Sequence, residues 1–308
     1  MDIAIMVEGQ NGLNWPRWQR IAAAVEDLGF AGLYRSDHFT NANPPNLDSL
    51  ELWVSLTWLA TRTSRIEFGP LVSPVSFRDP VFTARMAVQL DELSRGRLTL
   101  GLGAGWQERE HSIFGYDLLD LTRRFHRFEE GLEVITRLLR SERPVDFSGT
   151  YYRLHDAILL PRPVRPGRPP TLIGGNGLAR TLPLVARYAV EWNANFIPAA
   201  RFAKLNARLD ELLRSRSRQP GEVKRSLMTG LAFGRSDAEL HRHLATRGQT
   251  AAALRERGML VGGPSELVDQ LGELAAVGAQ RVMLQWLELD DLDGLEVLAK
   301  GVVPHFKG

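Results

Sequence analysis

The chain has 308 residues, of which 44% are hydrophobic and 24% charged, a composition of folded rather than disordered proteins. That length suits one large barrel of about 250 residues with insertions, or two medium domains. The 38 basic and 36 acidic side chains leave a formal charge of +2, too small for an electrostatic nucleic-acid footprint.

Only four of those basic residues are lysines. The high isoelectric point, 9.1, therefore reflects arginines that do not titrate below about pH 12, and not a basic patch. The absence of cysteine excludes disulfides, thiolate-ligated zinc, iron–sulfur clusters and thiolate nucleophiles. Residues Met1 to Val7 open on an apolar strand pattern without a cationic leader. No apolar run approaches the ~18 residues of a membrane span. A cytoplasmic protein with no membrane partner is expected.

Apolar runs and amphipathic stretches alternate from the start. Strands are predicted at Ile3–Val7, Gly32–Arg35, Ile66–Val72 and Leu98–Leu102, with helices at Trp15–Leu28, Leu50–Thr61, Pro80–Leu93 and Arg123–Ser141. Gly29 closes the first helix and Pro80 opens the third. Residues 142–170 interrupt the rhythm: prolines including Pro144, Pro161 and Pro166 enclose Tyr151, Tyr152 and Leu154, which predicts a short hairpin and an extended crossing. Alternation then resumes, with strands at Thr171–Ile173, Trp192–Asn195, Leu227–Phe233 and Arg281–Trp286. Helices are predicted at Leu178–Tyr188, Ala200–Arg216 and Ser265–Val277, a closing segment at Asp291–Val303, and an inserted helix at Ser236–Arg257. Eight strand–helix units predict an α/β chain forming a (β/α)8 TIM barrel, a single domain over 1–308 with insertions near 142–170 and 236–262. A Rossmann sheet is disfavoured, because Glu8-Gly9-Gln10-Asn11-Gly12 lacks the G-x-G-x-x-G spacing after strand one.

In such a barrel the active site gathers at the C-terminal ends of the strands. Eligible residues are Glu8 and Gln10, Ser36 to Phe39, Ser73 to Ser76, Gly103 to Trp106 with Glu110 and His111, Gly174 to Gly177, and Asn195. His38 beside Asp37 suits proton transfer or a hydrogen bond to a heteroaromatic ring, since imidazole titrates near neutrality; equally, Asp37 could cap the loop and His38 satisfy its backbone. Gly174-Gly175-Asn176-Gly177 ends a strand and opens a helix, where backbone N–H groups and the helix dipole hold a phosphate, unless the segment is a plain tight turn. Gly103-Ala104-Gly105 carries the same two readings. No metal site is expected, because the seven histidines show no H-E-x-x-H spacing. No G-x-S-x-G elbow is present, and nothing selects Glu8 with Glu110 as a glycosidase pair. A phosphate-bearing organic cofactor under a histidine-containing mouth is left.

Ser36-Asp37-His38-Phe39, the segment Leu52 to Ile66, Arg78-Asp79-Pro80, Leu90-Asp91-Glu92-Leu93-Ser94-x-Gly96-Arg97 and Gly101-x-Gly103-x-Gly105-Trp106-x-x-x-Glu110-His111 together resemble the bacterial luciferase-like flavin or deazaflavin oxidoreductases. The resemblance continues through Gly174–Gly177, Arg187-Tyr188-Ala189 and Trp192-Asn193, and it is greatest to the branch that uses coenzyme F420. It implies a barrel with insertions, hydride transfer to or from a small, partly apolar organic substrate, and coenzyme F420 as cofactor, with FMN as the alternative. It implies His38 as the catalytic residue, with Asp37, Ser73, Pro74, Gly103, Ala104, Gly105, Gly174, Gly175, Asn176 and Gly177 binding the cofactor. Glu8, Phe39, Trp106 and Trp192 would face the substrate. It further implies a backbone bulge with a non-prolyl cis peptide at about Val72–Pro74. Trp106 stands where the sugar-phosphate dehydrogenases of the family carry Glu, which speaks against that reaction. The competing readings are an FMN monooxygenase and a barrel that binds without turnover. The apolar and aromatic content of helices Leu50–Thr61 and Pro80–Leu93, including Trp53, Trp58, Phe82 and Met86, predicts a homodimer.

Overall fold

Parallel strands joined by helices build a barrel. The computed structural model describes residues 1–165, 169–246 and 248–306; Pro166 of the first insertion and Arg247 of the second lie outside them. The strands are β1 (Asp2–Val7), β2 (Gly32–Arg35), β3 (Glu67–Pro70), β4 (Ser73–Pro74), β5 (Leu100–Gly103), β6 (Val145–Ser148), β7 (Arg153–Ala157), β8 (Thr171–Gly174), β9 (Glu191–Asn195), β10 (Lys224–Phe233), β11 (Leu260–Gly262) and β12 (Arg281–Gln285). The main sheet runs β3-β2-β1-β12-β10-β9-β8-β5-β4. β3 and β4 are two pieces of one strand position, so this order has eight positions, and a parallel bridge between Phe68 and Leu98 brings β3 back against the start of β5. The barrel is thereby nearly closed.

Because both faces of a barrel strand are covered, each reads as a continuous apolar run, as Asp2–Val7 does. Its alternate residues sort strictly: Ile3, Ile5 and Val7 pack outward with the helices, while Ala4 and Met6 join Tyr34, Leu71, Leu172, Met228 and Met283 inside. Helix starts follow their caps. Asn14 accepts from the Arg17 amide, Asp79 from Val81 and Phe82, and Asp120 from Thr122 and Arg123, each satisfying N–H groups the helix cannot. The N-terminal end of the barrel is plugged by Arg281, which is buried and pairs with Tyr34 Oη at 2.6 Å, Glu191 at 3.2 Å, Asp2 at 3.3 Å and also Glu67. Among the described residues this closes the barrel interior at that end and leaves its C-terminal mouth open to a ligand.

The structure corrects four local expectations. The third strand is not continuous over Ile66–Val72 but breaks between Pro70 and Ser73. The non-prolyl cis peptide lies at Leu71–Val72, one residue before the expected Val72–Pro74, because Leu71 N still donates to Arg35 O at 2.7 Å and the chain turns only after it. The segment Ser236–Arg257 forms two helices, Asp237–Thr246 and Ala251–Glu256, with Gly248 at a φ of 58° between them, and is followed by β11, which pairs in parallel with β10. The helix Glu108–Phe114 was not anticipated: seven residues are too few for a helical period to show. The first insertion does contain a hairpin, the antiparallel pair β6–β7. No helix among the described residues is long and apolar enough to cross a membrane.

Candidate active site

His38 follows β2 directly and is only partly exposed. Its Nδ1 lies 2.9 Å from Glu110 Oε1 and 3.2 Å from Gln107 Nε2. A carboxylate can only accept, so Nδ1 carries the proton and donates to Glu110, while the Gln107 amide donates to the Thr40 carbonyl at 3.0 Å. Among the described residues Nε2 has no hydrogen-bond partner. Glu110 is 1% exposed and its second oxygen accepts from the Phe39 amide at 3.1 Å, so one carboxylate ties the loop after β2 to the helix after β5. Burial pushes the His38 pKa down, but the hydrogen bond and charge of Glu110, with Glu8 and Asp37 behind them, outweigh it and raise the pKa. The Trp106 ring, 61% exposed, meets the His38 ring edge-on at 5.5 Å.

Asp37 is buried, and Arg78 grips both of its oxygens, Nε at 2.9 Å and Nη2 at 2.7 Å. Burial raises its pKa against the pull of Arg78. Arg78 also pairs with Glu51 at 2.7 Å, and Ser73 Oγ lies 3.5 Å from Asp37. On the adjoining strand positions β1 and β12, Glu8 accepts from Gln285 at 2.7 Å and Gln10 at 3.0 Å. Phe39 sits in an aromatic cluster with Phe77, Phe114 and Tyr116, at ring separations of 4.6, 5.0 and 6.0 Å.

After the cis peptide, Val72 reaches across the mouth. Its side chain fills the space that a Cβ would take on Gly103 (2.5 Å away) and on Gly174 (3.2 Å), while Pro74 is aligned with Gly103 in the β4–β5 pairing. These glycines therefore clear room for Val72, which is only partly buried and offers a flat apolar floor. Beside it Ala104 and Gly105 turn away from β5, Gly105 at a φ of 85°, and Ser76 Oγ and His111 Nε2 lie against Gly105, buried and without a hydrogen-bond partner among the described residues. At the end of β8, Gly175 has a φ of 129°, and Asn176 donates to the backbone and side-chain oxygens of Asn195, both at 2.7 Å. Gly177 packs so closely on Thr181, at the start of the helix Thr181–Tyr188, that a Cβ would come within 2.8 Å of its hydroxyl. An apolar floor for a planar ring, a glycine-walled side and a helix N-terminus past Gly177 fit a ring cofactor with a phosphate tail.

Trp192 does not belong to this mouth. It is fully buried, stacks on Phe202 of the outer helix Ala199–Arg214 at 5.2 Å and donates to the Gly175 carbonyl at 2.9 Å. In β9 its side chain points outward, so it faces the helix layer and lines no substrate side. Conversely, Glu110, Gln107, Arg78 and Gln285 enter the site unassigned by the sequence reading. Two of them had a signal there: Glu110 as an eligible strand-end residue within the Gly101–His111 motif, and Arg78 within Arg78-Asp79-Pro80.

A parallel barrel with a histidine–carboxylate pair and a glycine-walled cofactor bed at its C-terminal mouth defines an oxidoreductase of the luciferase-like class. The chain belongs to the luciferase-like monooxygenase family, whose sequence model matches residues 2–259. It is 28% identical to an F420-dependent glucose-6-phosphate dehydrogenase of Intrasporangium calvum, over 92% of each chain. It is 27% identical to a 4-hydroxyprotoasukamycin monooxygenase of Streptomyces nodosus subsp. asukaensis, over 96% of this chain and 88% of that one. In fold it is similar to an F420-dependent secondary alcohol dehydrogenase, with a TM-score of 0.86 at 16% identity over 100% of this chain and 99% of the other.

Proposed function

We propose that the protein transfers a hydride between coenzyme F420 and a small, partly apolar organic substrate. The observation that carries this reading is the buried Glu110 carboxylate holding His38 Nδ1 at 2.9 Å. When bound, the deazaflavin supplies a two-electron hydride carrier that does not activate oxygen. His38 then does the proton work: Glu110 fixes its tautomer and stabilises the imidazolium, so Nε2 gives a proton to, or takes one from, the substrate oxygen. Val72 would support the ring, with Asp37, Ser73 and Pro74 at its edge and Gly103 to Gly105 beside it. Gly174, Gly175, Asn176 and Gly177 would hold the phosphate at the helix N-terminus. Glu8, Phe39 and Trp106 would border the substrate, and the exposed indole favours an apolar one.

The likeness to the Streptomyces monooxygenase supports the second reading, an FMN monooxygenase. Trp106, in place of the Glu of the sugar-phosphate dehydrogenases, disfavours their substrate. The proposal takes 1–308 as one catalytic unit, working in the cytoplasm where reduced cofactor is regenerated, and as a homodimer. Two expected dimer residues are otherwise engaged, Trp53 in the core and Trp58 against Trp15, but Val54 and Phe82, at 57% and 66% exposure, leave an apolar face on helices Leu52–Arg62 and Pro80–Leu93. The test is titration of the purified protein with F420 and with FMN by fluorescence, followed by turnover with and without oxygen. Tighter F420 binding and oxygen-independent turnover are expected; tighter FMN binding with oxygen consumed in proportion to reduced flavin would replace this reading with the monooxygenase.

A further inference from the structure

Immediately past the Gly174–Gly177 turn, the chain enters a groove between two outer helices, Leu121–Arg140 and Thr181–Tyr188. Thr122, Phe125 and His126 line one wall, Ala179 and Arg180 the other, with Arg216 at the edge and about 590 Å3 of open space between them. Arg180 and Arg216 are exposed. Arg180 lies over the Phe125 ring at 5.9 Å and approaches Thr122 Oγ1 at 3.5 Å, and neither arginine has a carboxylate partner among the described residues. This sets them apart from Arg187, whose charge is spent on Glu129 at 2.8 Å and Glu133 at 3.3 Å. The one acidic wall residue is thus already neutralised, and the groove keeps a net positive charge.

We propose that this groove holds the anionic tail of the cofactor, the oligoglutamate that follows the phosphate in coenzyme F420, with Arg180 and Arg216 pairing its carboxylates. The proposal rests on the F420 reading above. Three features support it. The groove begins at Ala179, two residues beyond Gly177, where the phosphate would be held, so a tail leaving that phosphate enters it directly. Its two free cations are guanidinium groups, whose planar donor fork matches a carboxylate. The stacking of Arg180 on Phe125 holds one fork in place with less conformational freedom to lose. FMN ends at its phosphate and has nothing to place there, so the groove also gives the chain a means of preferring the deazaflavin.

The test compares two probes on the full-length protein by fluorescence titration: F420 carrying several glutamates and F420 carrying none. Exposed ion pairs contribute modestly, so the long-tailed form should bind roughly five- to tenfold more tightly, and this advantage should shrink as salt is raised beyond physiological ionic strength. In R180Q/R216Q the advantage should fall to about twofold or less, while affinity for the tail-less form and the melting temperature stay unchanged. Equal affinity of the wild-type protein for the two probes, or an advantage that survives in R180Q/R216Q, overturns the groove while leaving the F420 reading intact. Failure of both probes to bind, with FMN binding instead, overturns both.

Discussion

Replacing Glu110 by Gln removes the charge opposite His38 while keeping a side chain of the same shape. Nδ1 then loses a charge-assisted hydrogen bond made at 2.9 Å to a carboxylate that is 1% exposed. The burial that pushes His38 down stays in place. A hydrogen bond to a charged group contributes about 1.5–3 kcal/mol net. Glu8 and Asp37 continue to favour the imidazolium, so the lower half of that range is expected, a loss of roughly 13- to 45-fold in kcat/KM at neutral pH. The direct assay follows the His38 ring proton by NMR against pH, where the titration midpoint should fall in E110Q. Stability supplies the second reading. The folded pKa of His38 is raised, so its contribution is fully present below the unfolded imidazole value of about 6.5 and is lost as pH rises through the folded value. The urea midpoints of wild type and E110Q should therefore differ most below about pH 6 and draw together at higher pH. A His38 midpoint that stays or rises in E110Q, or a stability difference that grows with pH, would refute the assignment of Glu110 as the group that charges His38.

Asp37→Ala leaves Arg78 with Glu51 alone inside a largely buried site and should cost about 3–5 kcal/mol in urea unfolding; a loss under about 1 kcal/mol would show that the pair is solvated. Gly103→Ala places a methyl 2.5 Å from Val72 Cγ2 and should push the floor into the cofactor bed, weakening cofactor binding about tenfold in fluorescence titration with a stability cost of about 1–3 kcal/mol. Unchanged affinity would mean that Val72 does not support the ring. Trp192→Ala should destabilise the fold by about 3–5 kcal/mol yet leave cofactor affinity within about twofold once folded protein is counted, and a selective loss of binding would return Trp192 to the mouth.

Strand–helix alternation, the helix stop at Gly29 and start at Pro80, and the placement of His38 and Gly174–Gly177 at strand ends were all legible in the sequence, because each depends on residues within a few positions of one another. The pairing of His38 with Glu110 was not: 72 residues separate them, and only closure of the barrel brings the loop after β2 against the helix after β5. Nor could local pattern place Trp192. In β9 both faces are buried, so the apolar–polar alternation that would mark an inward side is missing. The register decides instead: Trp192 lies beside Ile173 and Arg225, which face the helices, while Asn193, next to Gly174 and Ser226, turns inward to reach the sulfur of Met283. A one-residue step along a strand reverses the direction of a side chain, and which parity faces the ligand is settled only when neighbouring strands lock that register.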